Sequence, residues 1–393
     1  MRLFISEDEI PSLRKKLDNP WGKGAYSLLL EKADMLIRDG ELALGVTGAG
    51  YGKASSARFL EGKTSILALA GYLSGDESYI KRAVQIYVNT IRQLSLENYI
   101  EFNLHLCVGD AARAESISFD LLSDYMSKDE KEFALNHLES VAKWLYEFPS
   151  TWGRPHKGVQ SCNHNTVHFG GLGLAALVLG GHEDWLERAV SQTRAYFTYA
   201  TDETGFLTEG LPYGCYGLLG GLTFTEAYYR LKGIDLILEH KKTGLIPYQL
   251  MAQTLPTFDK IVSFNDNPAT IPPLSCIAYL STKFHNPEVL YWIKKVTAGG
   301  NYGGAPRANL AGGIYYALML LWFDPNTADN DRKIEYPTTN IFECGRLFAR
   351  ESWEEKDKSL LFFTSGFDRH RGHNHSGQNS FAFFAHGEDF LID

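Results

Sequence analysis

The sequence predicts a mainly α chain with a smaller β part. An α/α toroid or α-solenoid would occupy residues 1–325, and antiparallel strands residues 326–393. Three observations carry this. Apolar residues recur at three- and four-residue spacing through most of the first part, and a helical hairpin pattern repeats within it. After Asp324-Pro325-Asn326, short aromatic runs bounded by Gly and charged turns replace both.

Glu9 to Leu17 reads as a capped amphipathic opening helix, and Ala25 to Ile37 continues the spacing. Ser127-Lys128-Asp129-Glu130 is a capping box, in which the Ser and Glu side chains satisfy backbone N–H groups that a helix start leaves unpaired. The helix it opens carries Phe133, Leu135, Leu138, Val141 and Leu145. Ile66 to Ala70, then Gly75-Asp76-Glu77-Ser78-Tyr79, then Arg82-Ala83-Val84 reads as helix, tight turn, helix. The arrangement recurs as Leu172 to Ala176, Gly181-His182-Glu183-Asp184-Trp185, and Arg188-Ala189-Val190. Each such pair leaves an apolar face for a neighbouring pair to bury.

Arg346 to Arg350, Ser359 to Thr364 and Ser380 to Ala385 read as strands, and Phe390-Leu391-Ile392-Asp393 as the start of another. So few strands form a thin sheet without closure, and the expectation is a β domain that continues past residue 393.

Hydrophobic residues make up 44% and charged residues 22% of the 393 positions, an ordinary globular composition. No apolar run approaches the roughly 20 residues that cross a bilayer, and the opening residues lack the pattern of a secretory signal. The expectation is a cytoplasmic protein, or a periplasmic or secreted one if a leader has been removed, with no membrane partner. A net charge of -9 argues against nucleic acid. Basic residues nevertheless gather in two windows, Arg154, His156, Lys157, His164 and His168, and Arg369, His370, Arg371, His373 and His375. Binding follows the local field rather than the total charge. The five cysteines are scattered, odd in number and without a CxxC, so neither a disulfide framework nor a zinc cage is expected.

Three segments carry polar groups suited to chemistry. Ser161-Cys162-Asn163-His164-Asn165-Thr166-Val167-His168 stands at the entrance to the apolar helix Phe169 to Leu179, where backbone N–H groups and the helix dipole favour an anion. As alternatives, Asn163 or Asn165 is an N-cap and His168 packs against the next helix. Asp202 to Gly217 is a loop shaped by glycines and a proline, with Tyr213 and Tyr216 three residues apart. Tyr213, directly after Pro212, is the better candidate for a positioned hydroxyl, and Tyr216 reads as half in the core. In Asp368 to Phe381, His373 and His375 would point to one face of a strand, and His375 with Asp393 would supply two metal ligands.

Taken together, the segments resemble the heparinase II/III-like polysaccharide lyases, which include oligoalginate lyases and are related to the dermatan-sulfate epimerases. The resemblance rests on Asn163-His164 before a Gly-rich apolar helix, on Gly205-Phe206 with Glu209-Gly210-Leu211-Pro212-Tyr213, and on Gly372-His373-Asn374-His375 with Asn379-Ser380-Phe381. It implies an incomplete (α/α) toroid followed by the start of an antiparallel β-sandwich domain. It also implies carboxylate neutralisation by Asn163 and His164, and catalysis by Tyr213 and His373. His375 and Asp393 would bind one structural divalent metal (zinc, calcium or manganese), with no organic cofactor. Ser376-Gly377-Gln378 departs from the family pattern, since relatives often carry an Asp shortly after the HxH pair.

The implied reaction is β-elimination on a uronate-containing acidic polysaccharide or oligosaccharide of glycosaminoglycan or alginate type. Candidate substrate-binding residues are Arg154, Lys157, His168, Glu209, Tyr216, Arg369 and Arg371. The alternatives are a glycoside hydrolase using the carboxylates Asp202 and Glu209, a uronate C5-epimerase, and a non-catalytic glycan-binding protein.

Overall fold

A computed structural model describes residues 3–38, 56–100, 104–148, 160–264, 266, 268–300, 302, 313–327, 334–366 and 379–391. It is an incomplete (α/α) toroid followed by a five-stranded antiparallel sheet. Among the described residues no helix is long and apolar enough to cross a membrane.

The helices alternate between an inner and an outer layer. The inner ones are α3 (Ser56–Ser74), α6 (Leu104–Leu122), α8 (Asn163–Leu179), α10 (Leu211–Lys232), α12 (Ser275–Lys283) and α14 (Gly313–Trp322). Each packs on the next, and α14 returns to α3. Their sequences are apolar on nearly all faces, as full burial requires. The outer layer comprises α2 (Pro20–Arg38), α4 (Glu77–Arg92), α7 (Lys128–Glu147), α9 (Glu183–Tyr199), α11 (Ile246–Gln253) and α13 (Pro287–Thr297), of which α2, α4, α7 and α9 keep one exposed face. Short α1 (Ile10–Lys16) and α5 (Leu96–Ile100) are the remaining α-helices among the described residues. The ring is thinnest between α10 and α12, where the outer position is held by the eight-residue α11.

The repeated hairpins are α3–α4 and α8–α9. Their turns need left-handed backbone, supplied by Gly75 at φ 82° and by Gly180 and Gly181 at 68° and 73°. Asp76 then caps α4 by accepting from Ser78 N at 2.9 Å. The capping box at Ser127 forms as the sequence predicts: Ser127 N donates to Glu130 Oε2 at 2.8 Å, and Glu130 N donates to Ser127 Oγ at 3.3 Å.

Glycines set the spacing of the inner layer. A Cβ on Gly170 would sit 2.3 Å from the Gly220 carbonyl oxygen, and one on Gly220 2.5 Å from that of Thr166. One on Gly109 would meet the Val167 carbonyl oxygen at 2.5 Å. Helices α6, α8 and α10 therefore touch backbone to backbone. The matched positions climb together along the three chains, so the helices run parallel. Helix α3 joins them in the same sense through Arg58 to Asp110, Glu61 to Arg113, and Thr64 to Ser118.

The N-terminal segment crosses the opposite, C-terminal ends of these helices. Leu3 N donates to Asp120 Oδ1, Arg14 donates to the carbonyls of Tyr72 and Leu73, and Lys16 Nζ donates to Leu321 O. Glu9 pairs with Arg230 near the end of α10. Cations meeting the last carbonyls of a helix oppose the negative end of its dipole.

The sheet runs in chain order, β1 (Thr339–Phe342), β2 (Arg346–Arg350), β3 (Leu360–Thr364), β4 (Ser380–Ala385) and β5 (Glu388–Leu391). Its inner face carries Phe342, Phe348, Phe362 and Phe384, packed on Phe206 and Phe264 from the toroid loops. The outer face carries the cross-strand row Ile341, Leu347, Phe363 and Phe381. Arg350, buried at the end of β2, donates through Nη2 to the carbonyls of Met251, Ala252 and Thr254 at the C-terminus of α11. It stacks on Trp353 at 3.9 Å, and burial lowers its pKa to about 9.

One outer pair makes the fold sensitive to pH. His137 of α7 lies between Glu115 Oε2 at 2.8 Å and Leu94 O at 3.1 Å. Burial opposes its charge, but the Glu115 carboxylate and the Leu94 carbonyl prevail and raise it to about 9. The folded pKa exceeds the unfolded value near 6.5, so the pair stabilises fully below about pH 6.5 and its contribution is lost as pH rises through about 9. A shift of this size corresponds to about 3 kcal/mol. Chemical denaturation from pH 6 to 9 should show wild type losing stability where His137→Gln stays flat; parallel curves would refute the assignment. The glycine contacts predict that Gly220→Ala costs about 1–3 kcal/mol by overpacking. Gly299→Ala, where nothing lies within 4 Å of the added carbon, should leave the melting midpoint nearly unchanged.

Candidate functional site

Because α3, α6, α8 and α10 run parallel, their N-termini lie at one end of the toroid. The partial positive charges of their dipoles add there. The half-buried side chains at this end include Arg58, His164, Tyr213 and Tyr216.

Cys162 is the N-cap residue of α8, so Asn163 occupies the first helical position and neither Asn163 nor Asn165 caps the helix. The capping acceptor comes from elsewhere. Glu209 Oε2 accepts from Asn163 N at 2.5 Å and from Asn163 Nδ2 at 3.1 Å. Glu209 is buried, which corrects its expected place as a substrate contact: it holds the helix start that presents His164. Asn165 Nδ2 donates to the carbonyls of Gln160 and Gln192 and anchors the same turn. His168 is also corrected. It is wholly buried, with Nε2 2.9 Å from Leu145 O of α7, because the sixth position of a helix in the inner ring faces the next layer.

Tyr213 stands in the first turn of α10, behind Gly210 at φ 77° and Pro212. Gly210 admits the left-handed turn, and Pro212 lacks the N–H that a helix start would leave unpaired. Tyr216 lies one turn further on. The contact of Gly217 on Asn163, whose Cα would be 3.0 Å from an added Cβ, joins this turn of α10 to the start of α8.

The Tyr216 hydroxyl donates to Asp110 Oδ2 at 2.8 Å and accepts from Arg58 Nη2 at 2.9 Å. Burial, then the Asp110 charge, push its pKa well above the ordinary phenol value, so it stays neutral. It supports Arg58, whose guanidinium lies 5.1 Å from the ring centre. Arg58 Nε donates to Asp110 Oδ2 at 2.7 Å while 36% of its side chain remains exposed. Behind it, Arg113 donates to both oxygens of Glu61 at 2.8 and 3.0 Å and approaches Asp110 Oδ1 at 3.0 Å. Two acids face two guanidiniums. Burial opposes the charge of Asp110 most strongly, yet Arg58 and Arg113 hold its carboxyl below the usual range. Burial pushes Glu61 up against the pull of Arg113. The arrangement fixes one cation, Arg58, at the end where the helix dipoles are positive.

Sequence reasoning missed Arg58, Glu61, Asp110 and Arg113. The available signal was charge at three-residue spacing inside otherwise apolar helices. Arg154, Lys157, Arg369, Arg371, His373, His375 and Asp393 lie outside the described residues, and with them the expected metal ligands. Among the described residues no group of three His, Cys, Asp or Glu side chains is arranged to hold a metal.

The loop before Tyr213 is tied to the sheet. Asp202 Oδ1 accepts from Thr204 N, Thr204 Oγ1 and Phe206 N, and Oδ2 accepts from Cys344 N at 3.1 Å. Glu343 N donates to Thr204 Oγ1 at 3.0 Å. Gly345, next along, packs against Gly366, and Ser365 Oγ donates to Asn379 Oδ1 at 2.7 Å.

Comparison with family models and with curated protein sequences finds no match. Among solved structures the chain is similar to a mutant heparan sulfate lyase from Pedobacter heparinus, with a TM-score of 0.51 and 17% identity over 93% of this chain and 55% of that one. It is also similar to a heparinase III, with a TM-score of 0.57 and 14% identity over 93% and 58%. A second heparinase III gives 0.50 and 14% over 99% and 66%. The chain thus spans between about half and two thirds of the length of these structures. The likeness defines the fold, a heparinase III-like toroid with its following sheet.

The Glu209 cap predicts that Glu209→Ala costs about 1–2 kcal/mol, as loss of a helix N-cap does. Amide exchange at the start of α8 should accelerate. Unchanged exchange there would contradict the capping role.

Proposed function

We propose that the chain is a polysaccharide lyase of heparinase II/III-like type, acting on uronate-containing acidic polysaccharides or oligosaccharides. The observation that carries this reading is the placement of His164, Tyr213 and Arg58 in the first turns of parallel inner helices, on a heparinase III-like fold.

In a 4-linked uronate the C5 proton is removed, a C4–C5 double bond forms, and the C4–O bond breaks with its electron pair leaving on oxygen. The leaving oxygen takes a proton. The C5 proton is weakly acidic because the adjacent carboxylate is already charged. Donors at the α8 start, His164 foremost, stabilise the enolate-like charge as it develops. Asn163 contributes by holding that turn, since its N–H and side-chain amide both donate to Glu209. Tyr213 takes or returns a proton as the general acid or base. Arg58 fits an anionic group of the sugar chain, as an oriented guanidinium does. His373 is the second proton-transfer candidate; its segment follows Gly366, which packs beside the Cys344–Gly345 turn bound to Asp202.

The glycoside hydrolase reading requires two carboxylates facing the bond. Asp202 and Glu209 each accept several N–H bonds within the fold, which counts against it.

The direct test is the ultraviolet absorbance of the unsaturated uronate product on a panel of defined uronate oligosaccharides. Tyr213→Phe should lower kcat by about 10²–10⁴-fold, the range for a lost general acid or base. Cleavage without an unsaturated product would favour hydrolysis, and solvent deuterium at C5 without cleavage would favour epimerisation.

A further inference from the structure

Tyr213 and the β-sheet reach the same end of the toroid by separate routes, and one carboxylate joins them. Asp202 follows α9 and precedes the loop that delivers Tyr213. Its Oδ1 gathers Thr204 N at 2.9 Å, Thr204 Oγ1 at 2.7 Å and Phe206 N at 2.9 Å, which closes the turn onto itself. Its Oδ2 reaches out of the loop to Cys344 N in the β1–β2 turn. Around this bond, Glu203 N donates to Glu343 Oε2 and Glu343 N to Thr204 Oγ1, so the two turns exchange bonds in both directions. The rest of the loop has little freedom. Gly205, at φ 87°, leaves no room for a side chain against Leu245. Phe206 is buried in the sheet core, and Leu207 N donates to Gln249 Oε1 at 2.8 Å. Gly210 N then bonds Leu207 O, and α10 begins.

We infer that Asp202 is a positioning residue, whose carboxylate sets the sheet against the Tyr213 end of α10 by binding its own loop with one oxygen and the β1–β2 turn with the other. This rests on the lyase reading for its kinetic consequence, but not for its structural one. The two oxygens have separable tasks. In Asp202→Asn the amide oxygen keeps the loop bonds, and the amide nitrogen then faces the Cys344 N–H, donor against donor. Flipping the amide only moves that conflict into the loop. Asp202→Ala removes both sets. Thr204→Val removes the second link, through Glu343 N, and one of the three loop bonds to Asp202 Oδ1, but leaves the bond from Cys344 N to Oδ2 in place.

The experiment uses the full chain and compares wild type, Asp202→Asn and Thr204→Val. It reads kcat and KM on a uronate oligosaccharide that wild type cleaves, and amide hydrogen exchange over residues 202–217 and 343–345. In Asp202→Asn, exchange should rise in both stretches, and kcat should fall about tenfold or more while KM stays within about threefold, the pattern of lost transition-state alignment. Thr204→Val should change both readouts in the same direction by less. A residue that only stabilised the fold would lower the melting temperature and leave kcat of the folded fraction unchanged. Asp202→Asn with kcat within twofold of wild type overturns the inference. If wild type releases no unsaturated product from any uronate, the lyase reading fails and exchange alone decides: faster exchange over 202–217 in Asp202→Asn supports the coupling, and unchanged exchange overturns it.

Discussion

Backbone-to-backbone contact between α6, α8 and α10 is the constraint on which the rest of the molecule depends. Helices usually pack 8–10 Å apart because side chains intervene. Here Gly109, Gly170, Gly217 and Gly220 remove the side chains at the crossings, and the carbonyls of Val167, Thr166 and Gly220 take their place. Such contacts admit little sliding, since a shift of one residue would bring a Leu or Val into a space that holds no Cβ. Axial register is therefore fixed, and with it the relative height of the three helix starts. Asn163 meets Gly217 because Gly170 meets Gly220 two turns away. The relative height of His164 and Tyr213, each in the first turn of its helix, follows from this packing in the core.

Close approach also explains why ionised groups sit inside the ring. A buried charge without a partner is very costly, and a buried pair does not by itself stabilise a fold. Glu61, Asp110, Arg58 and Arg113 belong to neighbouring helices held in register, so their geometry is set before their charges meet. Asp110 stays ionised because two guanidiniums reach it, and Tyr216 stays neutral because of its burial first and the Asp110 charge second. The network spends buried polarity to hold one guanidinium still at the surface. Arg350 solves a related problem differently. Its neighbours are the carbonyls at the end of α11 and the face of Trp353, so a helix dipole and an aromatic ring stand where a carboxylate would.

What was legible in the sequence was local. The capping box at Ser127, the Gly-turn hairpins at Gly75 and Gly181, and the change to strands after Asp324 depend on residues within a few positions of one another. They appear in the structure as the residue patterns indicate. The stretch Asp202 to Gly217 reads as a loop in the sequence, but from Leu211 onward it is helix α10, with Tyr213 in its first turn. Polarity next to a conspicuous motif reads as exposure, whereas α8 buries His168 against α7 and the loop before α10 turns Glu209 inward onto the start of α8. The Arg58 network was not legible, since its members lie 52 positions apart and meet only once the helices are in register. The link from Asp202 to Cys344 spans 142 positions and depends on where the sheet docks.

The N-terminal segment gives the ring a direction. Leu3 is bound at the C-terminal end of α6, and Arg14 and Lys16 donate to the last carbonyls of α3 and α14. One end of the ring is thereby tied down by cations on helix C-termini, while the other carries the helix N-termini and Arg58, so the ring has two chemically distinct ends.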